Sequence, residues 1–243
     1  DLIRNYRLKA ISKKIMHSKK KDFSALLVSA CFFIYIIAMN LTGVPAKAKS
    51  RSAEKNTIEQ QIKNIRRYAG TVLSVQRYKH SVRVAELSEK MCGIYGIADA
   101  RRGYLAGIAH DICKETDDEQ LIGYSMRDGN PISVLEAEHP SLLHGRAAAI
   151  VLKEKFGVTD KDVLEAVANH TFGKRGCSKL AKILFAADKI EPGREHSTET
   201  YILQKLSMPL DALVKSIISE NIDYLKSKGK TVSPITSDFL SSL

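Results

Sequence analysis

Apolar residues recur every three or four positions through almost all of residues 57–228, and no stretch of useful length alternates apolar with polar side chains. A period near 3.6 gathers side chains onto one face of a helix, whereas a half-buried strand needs a period of two. The pattern restricts the body of this chain to an all-α fold. Ile58, Ile62, Ile65 and Tyr68–Ala69 form one stripe, and Val82, Ala85 and Leu87–Met91 form another. Local punctuation then places the helices. Asp99 is expected to cap a helix that runs through Cys113, with Gly103 and Gly107 allowing close packing. Thr116–Glu119 has the spacing of a capping box ahead of residues 120–127. Pro140 starts a helix that Gly157 ends, Asp160 caps one reaching His170, and Ser178 opens one reaching Ile190. Two more are expected at about 198–207 and 209–228, split at Pro209.

The first fifty-odd residues are of another kind. From Phe23 to Ala46 there is no charged residue, and Ala25 to Met39 is nearly all apolar. A run of this length approaches a membrane span. Lys19–Lys21 precede it and Ala46-Lys47-Ala48 follows, which also fits a cleaved secretory signal, with Met16 as a start. An over-extended reading frame is the third reading. The organisation expected is a basic and apolar flank over 1–53, with residues 23–42 as a membrane segment or signal peptide, and one catalytic domain over 54–243.

Charge and thiols bear on where that domain works. Of the net charge of +11, residues 1–55 hold +9 and the remaining 188 only +2. The body is nearly neutral, which argues against a nucleic-acid partner. Cys31, Cys92, Cys113 and Cys177 form no C-x-x-C pair, and the three in the body read as small buried hydrophobes carrying free thiols. Free thiols suit a reducing compartment, so the catalytic domain is expected in the cytoplasm. Membrane association through 23–42 stays open. Counting the cations at each end of that run favours export of the body, which conflicts with the thiols.

Of seven histidines, His17, His139 and His196 fall in the flank or in loops. The other four, His80, His110, His144 and His170, lie within or at the end of expected helices beside small apolar neighbours. His110-Asp111 is an adjacent imidazole–carboxylate pair inside an apolar stretch, and Asp188 ends the apolar run 184–187. Burying such groups side by side is costly without a compensating cation or hydrogen bonds. Neighbouring helix residues point about 100° apart, so His110 and Asp111 can flank one ion. Imidazole and carboxylate donors without thiolate suit iron, manganese, zinc or magnesium. The acidic clusters 115–119 and 160–162 read as helix starts.

The order His80, His110-Asp111, Asp188 resembles the pattern of HD-domain metal-dependent phosphohydrolases. Leu142-Leu143-His144-Gly145, Val163–Val167 leading to His170-Thr171-Phe172-Gly173-Lys174, and Ile183–Arg194 follow in the order and spacing of one branch. Over residues 57–240 the chain is similar to the bacterial YqeK-type HD proteins, the symmetrical bis(5′-nucleosyl)-tetraphosphatases. The resemblance implies an iron-bearing all-α hydrolase that splits diadenosine tetraphosphate into two ADP. It implies a divalent metal, iron first with manganese or zinc as alternatives and one ion or two, held by His80, His110, Asp111 and Asp188, with His144 and His170 completing a second position. His80, His144, His170, Thr171, Asp188 and Arg194 would meet the substrate, and Asp111 and Lys114 would be catalytic, Asp111 orienting or deprotonating the attacking water. Lys174 stands where the family usually has Arg, and Cys177 where it has Met or a similar apolar residue. A homodimer is left open.

Two other readings compete: an HD phosphohydrolase acting on a cyclic dinucleotide, deoxynucleotide or nucleoside monophosphate, and a membrane-tethered nucleotide-binding module without turnover. A polyphosphate substrate suits the leading one. A divalent ion lowers the pKa of a water it holds, from 15.7 to about 7 in the best case, and together with Lys114 and Arg194 it offsets phosphate charge.

Overall fold

The structure, a computed structural model, describes residues 57–243. The readings of residues 23–42 as a membrane segment or signal peptide, and the thiol of Cys31, lie outside them. Among the described residues no helix is long and apolar enough to cross a membrane.

Helices account for every regular element described, with no strand among them. In chain order they are α1 (Ile58–Val72), α2 (Val75–Ile94), α3 (Arg101–Ala109), α4 (Asp118–Ser125), α5 (Val134–Glu138), α6 (His144–Phe156), α7 (Lys161–Asn169), α8 (Lys179–Ile190), α9 (Glu199–Leu206), α10 (Leu210–Ser227) and α11 (Pro234–Ser241). Short 3-10 turns at Met126–Asp128 and Pro140–Leu143 precede α5 and α6.

Side-chain caps set most starts. Thr57, Ser74, Asp160, Ser178 and Thr198 each accept a backbone N–H from the first turn that follows, which removes an otherwise unpaired donor. Gly157 ends α6 in the left-handed region at φ 63°. Two starts differ from expectation. Asp117, not Thr116, caps α4: Thr116 N–H is still engaged with the carbonyl of Cys113, while Asp117 is extended and accepts from Gln120 N at 2.9 Å. Asp99 accepts from Arg101 N at 3.0 Å, but the cap position of α3 belongs to Ala100.

The far end of α3 also differs, because the helix stops at Ala109 rather than Cys113. The ring of His110 turns back onto the carbonyl of Gly107, and the chain tightens into three-residue bonds, Ile112 N to Ala109 O and Lys114 N to Asp111 O. A side chain that competes for a helix carbonyl commonly ends the helix. This irregular turn sets His110 and Asp111 at the mouth of α3.

The core forms around α8, which packs on α2, α3, α7 and α10. Leu180, Ile183, Leu184, Phe185, Ala186 and Ala187 are all buried, so α8 is covered nearly all round, as its apolar run requires. Each such Leu, Ile or Phe contributes about 1.5–3 kcal/mol relative to exposure. Close approach of α2 and α3 depends on glycine. A Cβ on Gly107 would stand 2.4 Å from the Cα of Ala85, and one on Gly103 would stand 2.5 Å from the Sγ of Cys92. Cys92, Cys113 and Cys177 are buried and unpaired, and burial pushes the Cys92 and Cys113 thiols up to about 11 and about 12.

Candidate functional site

Five helices deliver the polar centre. His80 projects from α2, whose first turn is anchored by Glu115: its carboxylate accepts from Ser74 N and Ser74 Oγ, both at 2.7 Å. His110 and Asp111 follow α3, His144 opens α6, His170 follows α7, and Asp188 lies in the last turn of α8. All six are buried, although each is polar.

Their donor atoms converge. His80 Nε2 lies 3.1 Å from Asp188 Oδ1 and 3.3 Å from His110 Nε2. His144 Nε2 lies 3.0 Å from His170 Nε2. Asp111 spans the two pairs. Its Oδ1 is 3.1 Å from His144 Nε2 and 3.7 Å from His170 Nε2. Its Oδ2 is 3.4 Å from His110 Nε2 and 3.7 Å from His80 Nε2. Two sets, His80–His110–Asp188 and His110–Asp111–His170, each bring their donor atoms within 4.8 Å of one another.

The outer nitrogens decide what the inner ones are. Nδ1 of His110, His144 and His170 each faces the carbonyl three residues earlier, on Gly107 (2.7 Å), Ser141 (2.7 Å) and Val167 (2.8 Å). Nδ1 of His80 faces Glu191 Oε1 at 3.0 Å. Carbonyls and carboxylates only accept, so each Nδ1 carries a proton and each Nε2 is the ring atom turned to the centre. Four Nε2 atoms and the carboxylate oxygens then face one another at 3.0–3.7 Å. Such an arrangement is repulsive without a positive charge between its members. A mixed imidazole–carboxylate donor set with fixed tautomers fits a divalent cation. Nearby charge acts the same way. Burial pushes the His110 imidazole down, but Asp111 and Asp188 more than reverse this and raise it well above the usual range. His170 is lowered to about 4, by burial first. Burial opposes the charged forms of Asp111 and Asp188 too, yet His110 beside the former and Lys189 beside the latter hold both carboxyls well below the usual range.

Cations line the rim. Arg194 donates to Asp188 Oδ1 at 2.9 Å and to the Asp188 carbonyl, while Lys189 donates to Asp188 Oδ2 at 2.9 Å and to the carbonyl of His170 at 3.0 Å. Lys114 Nζ sits 3.5 Å from His144 Nε2, its pKa lowered by burial. Arg77 donates to Asp111 Oδ2 at 3.0 Å. Arg77, His80, Arg83, Glu191 and Arg194 share the wall of a cavity of about 380 Å³.

The six residues expected to hold metal are thus brought together, with Lys114 and Arg194 at their edge. Thr171 Oγ1 is buried beside His170 without a hydrogen-bond partner. Lys174 is not drawn in: it is exposed and pairs with Glu165 at 3.4 Å. Sequence reasoning assigned no role to Arg77, Arg83, Lys189 or Glu191. Arg77 and Arg83 stand three residues either side of His80, one helical turn each way, which is the signal that would have found them.

Comparison with known proteins agrees with this geometry. The HD domain family matches residues 77–193. A protein of Staphylococcus aureus called "Bis(5'-nucleosyl)-tetraphosphatase, symmetrical" is 37% identical over 135 residues, which is 55% of this chain and 68% of the relative. One of the same name from Halalkalibacterium halodurans is 31% identical over 174 residues, covering 68% of this chain and 87% of the relative. A solved structure from Clostridium acetobutylicum, described as a "predicted HD superfamily hydrolase involved in NAD metabolism", superimposes with a TM-score of 0.69 at 30% identity, over 74% of this chain and 95% of its own.

Proposed function

The chain belongs to the symmetrical bis(5′-nucleosyl)-tetraphosphatase family of HD-domain proteins, and from that membership we propose that it hydrolyses dinucleoside polyphosphates, cleaving diadenosine tetraphosphate to two ADP. One observation carries the reading. Four imidazole Nε2 atoms and the carboxylates of Asp111 and Asp188 converge with their outer nitrogens already tied.

His80, His110, Asp111 and Asp188 would hold one divalent ion, and Asp111 with His144 and His170 a second, iron being the resident metal we propose. A bound ion supplies Lewis-acid polarisation of phosphate oxygens and lowers the pKa of water. The chain's own residues do the rest. In the reaction, a water oxygen bonds to one inner phosphorus, the bond from that phosphorus to the central bridging oxygen breaks, and each nucleoside keeps two phosphates. Asp111 orients the attacking water through a carboxylate oxygen. Lys114 and Arg194, at opposite edges of the cluster, balance charge that develops on the phosphate oxygens. Thr171, whose Oγ1 has no hydrogen-bond partner within the fold, is the substrate contact that the family resemblance implies. A nucleotide substrate and unpaired thiols fit a reducing compartment, so the domain is assigned to the cytoplasm.

The test is product identity. The purified chain, loaded with iron(II) or manganese(II), is expected to yield ADP alone from diadenosine tetraphosphate. Formation of ATP and AMP, or release of inorganic phosphate from mononucleotides with the dinucleotide untouched, overturns the proposal.

A further inference from the structure

Three of the four inward-facing histidines are locked by their own backbone, each through a carbonyl three residues back. His80 is the exception. It stands inside α2, where the carbonyls are committed to the helix, and its Nδ1 is held across the fold by Glu191, 111 residues later in the chain. Glu191 is itself only 2% exposed. Arg83, one turn beyond His80, meets it with two nitrogens: Nε bonds Oε2, and Nη2 bonds Oε1 at 3.1 Å. Gly193 N donates to Oε2 at 2.6 Å. Every lone pair of Glu191 that faces protein is therefore used, and the carboxylate cannot rotate without breaking a charge-assisted bond.

The segment 191–194 links both ligands of one pair. Glu191 reaches His80 and Arg194 reaches Asp188, so one short loop fixes two groups that come from α2 and α8. Gly193 is what lets Arg83 lie over this loop. A Cβ there would stand 2.2 Å from Arg83 Nη2 and 2.3 Å from its Cζ.

We propose that Glu191, clamped by Arg83 over Gly193, is a positioning residue that fixes the tautomer and orientation of His80 and thereby sets the metal affinity of the His80–His110–Asp188 position. The inference rests on the cluster holding a divalent cation, as in the proposed function, but not on which phosphoanhydride is cleaved. An anionic partner on Nδ1 raises the basicity of Nε2 and removes the entropy of ring rotation before the ion arrives. Backbone carbonyls give the other three rings orientation without that charge.

Manganese(II) alone serves as the probe. It is titrated into the full chain with the free ion read by electron paramagnetic resonance, and thermal midpoints are measured in chelator. Glu191→Gln keeps size and removes the charge; it is expected to weaken manganese binding about tenfold or more. Gly193→Ala keeps the backbone N–H that donates to Glu191 but displaces Arg83, and is expected to weaken binding severalfold with kcat falling more than KM rises. Gly123→Ala, with open space around its Cβ, is the control and leaves affinity within about twofold. Unchanged affinity in Glu191→Gln overturns the inference. Should that variant fail to fold without metal, unchanged affinity in Gly193→Ala overturns it instead. A parent that binds manganese but makes no ADP sinks the proposed substrate and leaves this inference standing; a parent that binds no manganese sinks this inference.

Discussion

Nη1 of Arg77 donates to Oδ2 of Asp111 at 3.0 Å, so a guanidinium occupies one oxygen of the carboxylate that spans both histidine pairs. A cation at the His80–His110 side competes with that guanidinium for the same lone pairs. Once displaced, Arg77 has the adjoining cavity, which it lines, as its remaining polar surroundings. Arg77→Met is therefore expected to leave manganese affinity equal or tighter while lowering kcat/KM for diadenosine tetraphosphate by about 10–100-fold. Steady-state kinetics beside a metal titration checks this. Weaker metal binding in the variant would show that Arg77 supports the site rather than competing for it.

Asp111 faces both histidine pairs, with Oδ1 towards His144 and His170 and Oδ2 towards His110 and His80, and in the proposed arrangement it serves both metal positions. Asp111→Asn keeps the volume but removes the charge and half the acceptor capacity. Bound metal per chain, read by elemental analysis after dialysis, is expected to fall for both positions together, with the rate lower by roughly a thousandfold. Loss of one ion with the other retained would mean that the two positions do not share this carboxylate.

Acid stability has a clear contributor away from the centre. Asp160 caps α7 through Asp162 N and Val163 N and receives Arg102 at 2.6 and 2.7 Å. Burial pushes the Asp160 carboxyl up, but Arg102 and the Val163 N–H together hold it below its usual value. A lowered folded-state pKa gives stability that is fully present above the unfolded value, about 3.9, and lost as pH falls through the folded one. Asp160→Asn retains a good cap and loses the ion pair. The parent is expected to melt above the variant at pH 7, by a margin that shrinks below about pH 4. A margin independent of pH would assign the effect to the cap alone.

The fold was legible because the governing signal is local. Ser178 and Ile190 bound α8, and Pro140 and Gly157 bracket the segment of α6, from capping chemistry and the 3.6 period alone. Two short helices went unread. Ser133 and Glu136 make a capping box visible in sequence, yet α5 is too short for periodicity to register, and α11 is recognisable only through Phe239, which packs against Gly173, 66 residues earlier. At the site, the ligand candidates carried a signature of their own, a buried histidine beside an aspartate. Glu191 and Lys189 carried none. A glutamate before Pro-Gly and a lysine after an aspartate look like solvated loop and helix-end charges until α8 meets α2 and the end of α7, and that approach is a property of the packed core.

That packing yields the last expectation. Gly107 lies three residues before His110 on α3, and a Cβ there would meet the Cα of Ala85 at 2.4 Å and its N at 2.7 Å. Both contacts are backbone, so no side-chain rotation relieves them, and α3 must move away from α2. Overpacking of this kind costs about 1–3 kcal/mol, or a fall in Tm of roughly 2–10 °C for a domain of this size. Gly70, in α1, has nothing within 4 Å of its Cβ position. Gly70→Ala should stabilise the fold instead, by up to about 1 kcal/mol of helix propensity, and so raise Tm. Because His80 rides on α2 and His110 follows α3, their 3.3 Å separation widens with the interhelical gap. Gly107→Ala is thus expected to lose manganese affinity as well as stability, whereas Gly70→Ala changes stability only. Calorimetry paired with a manganese titration of both variants separates the two effects, and a Gly107→Ala protein with the parent's affinity would mean that the centre re-forms independently of the α2–α3 distance.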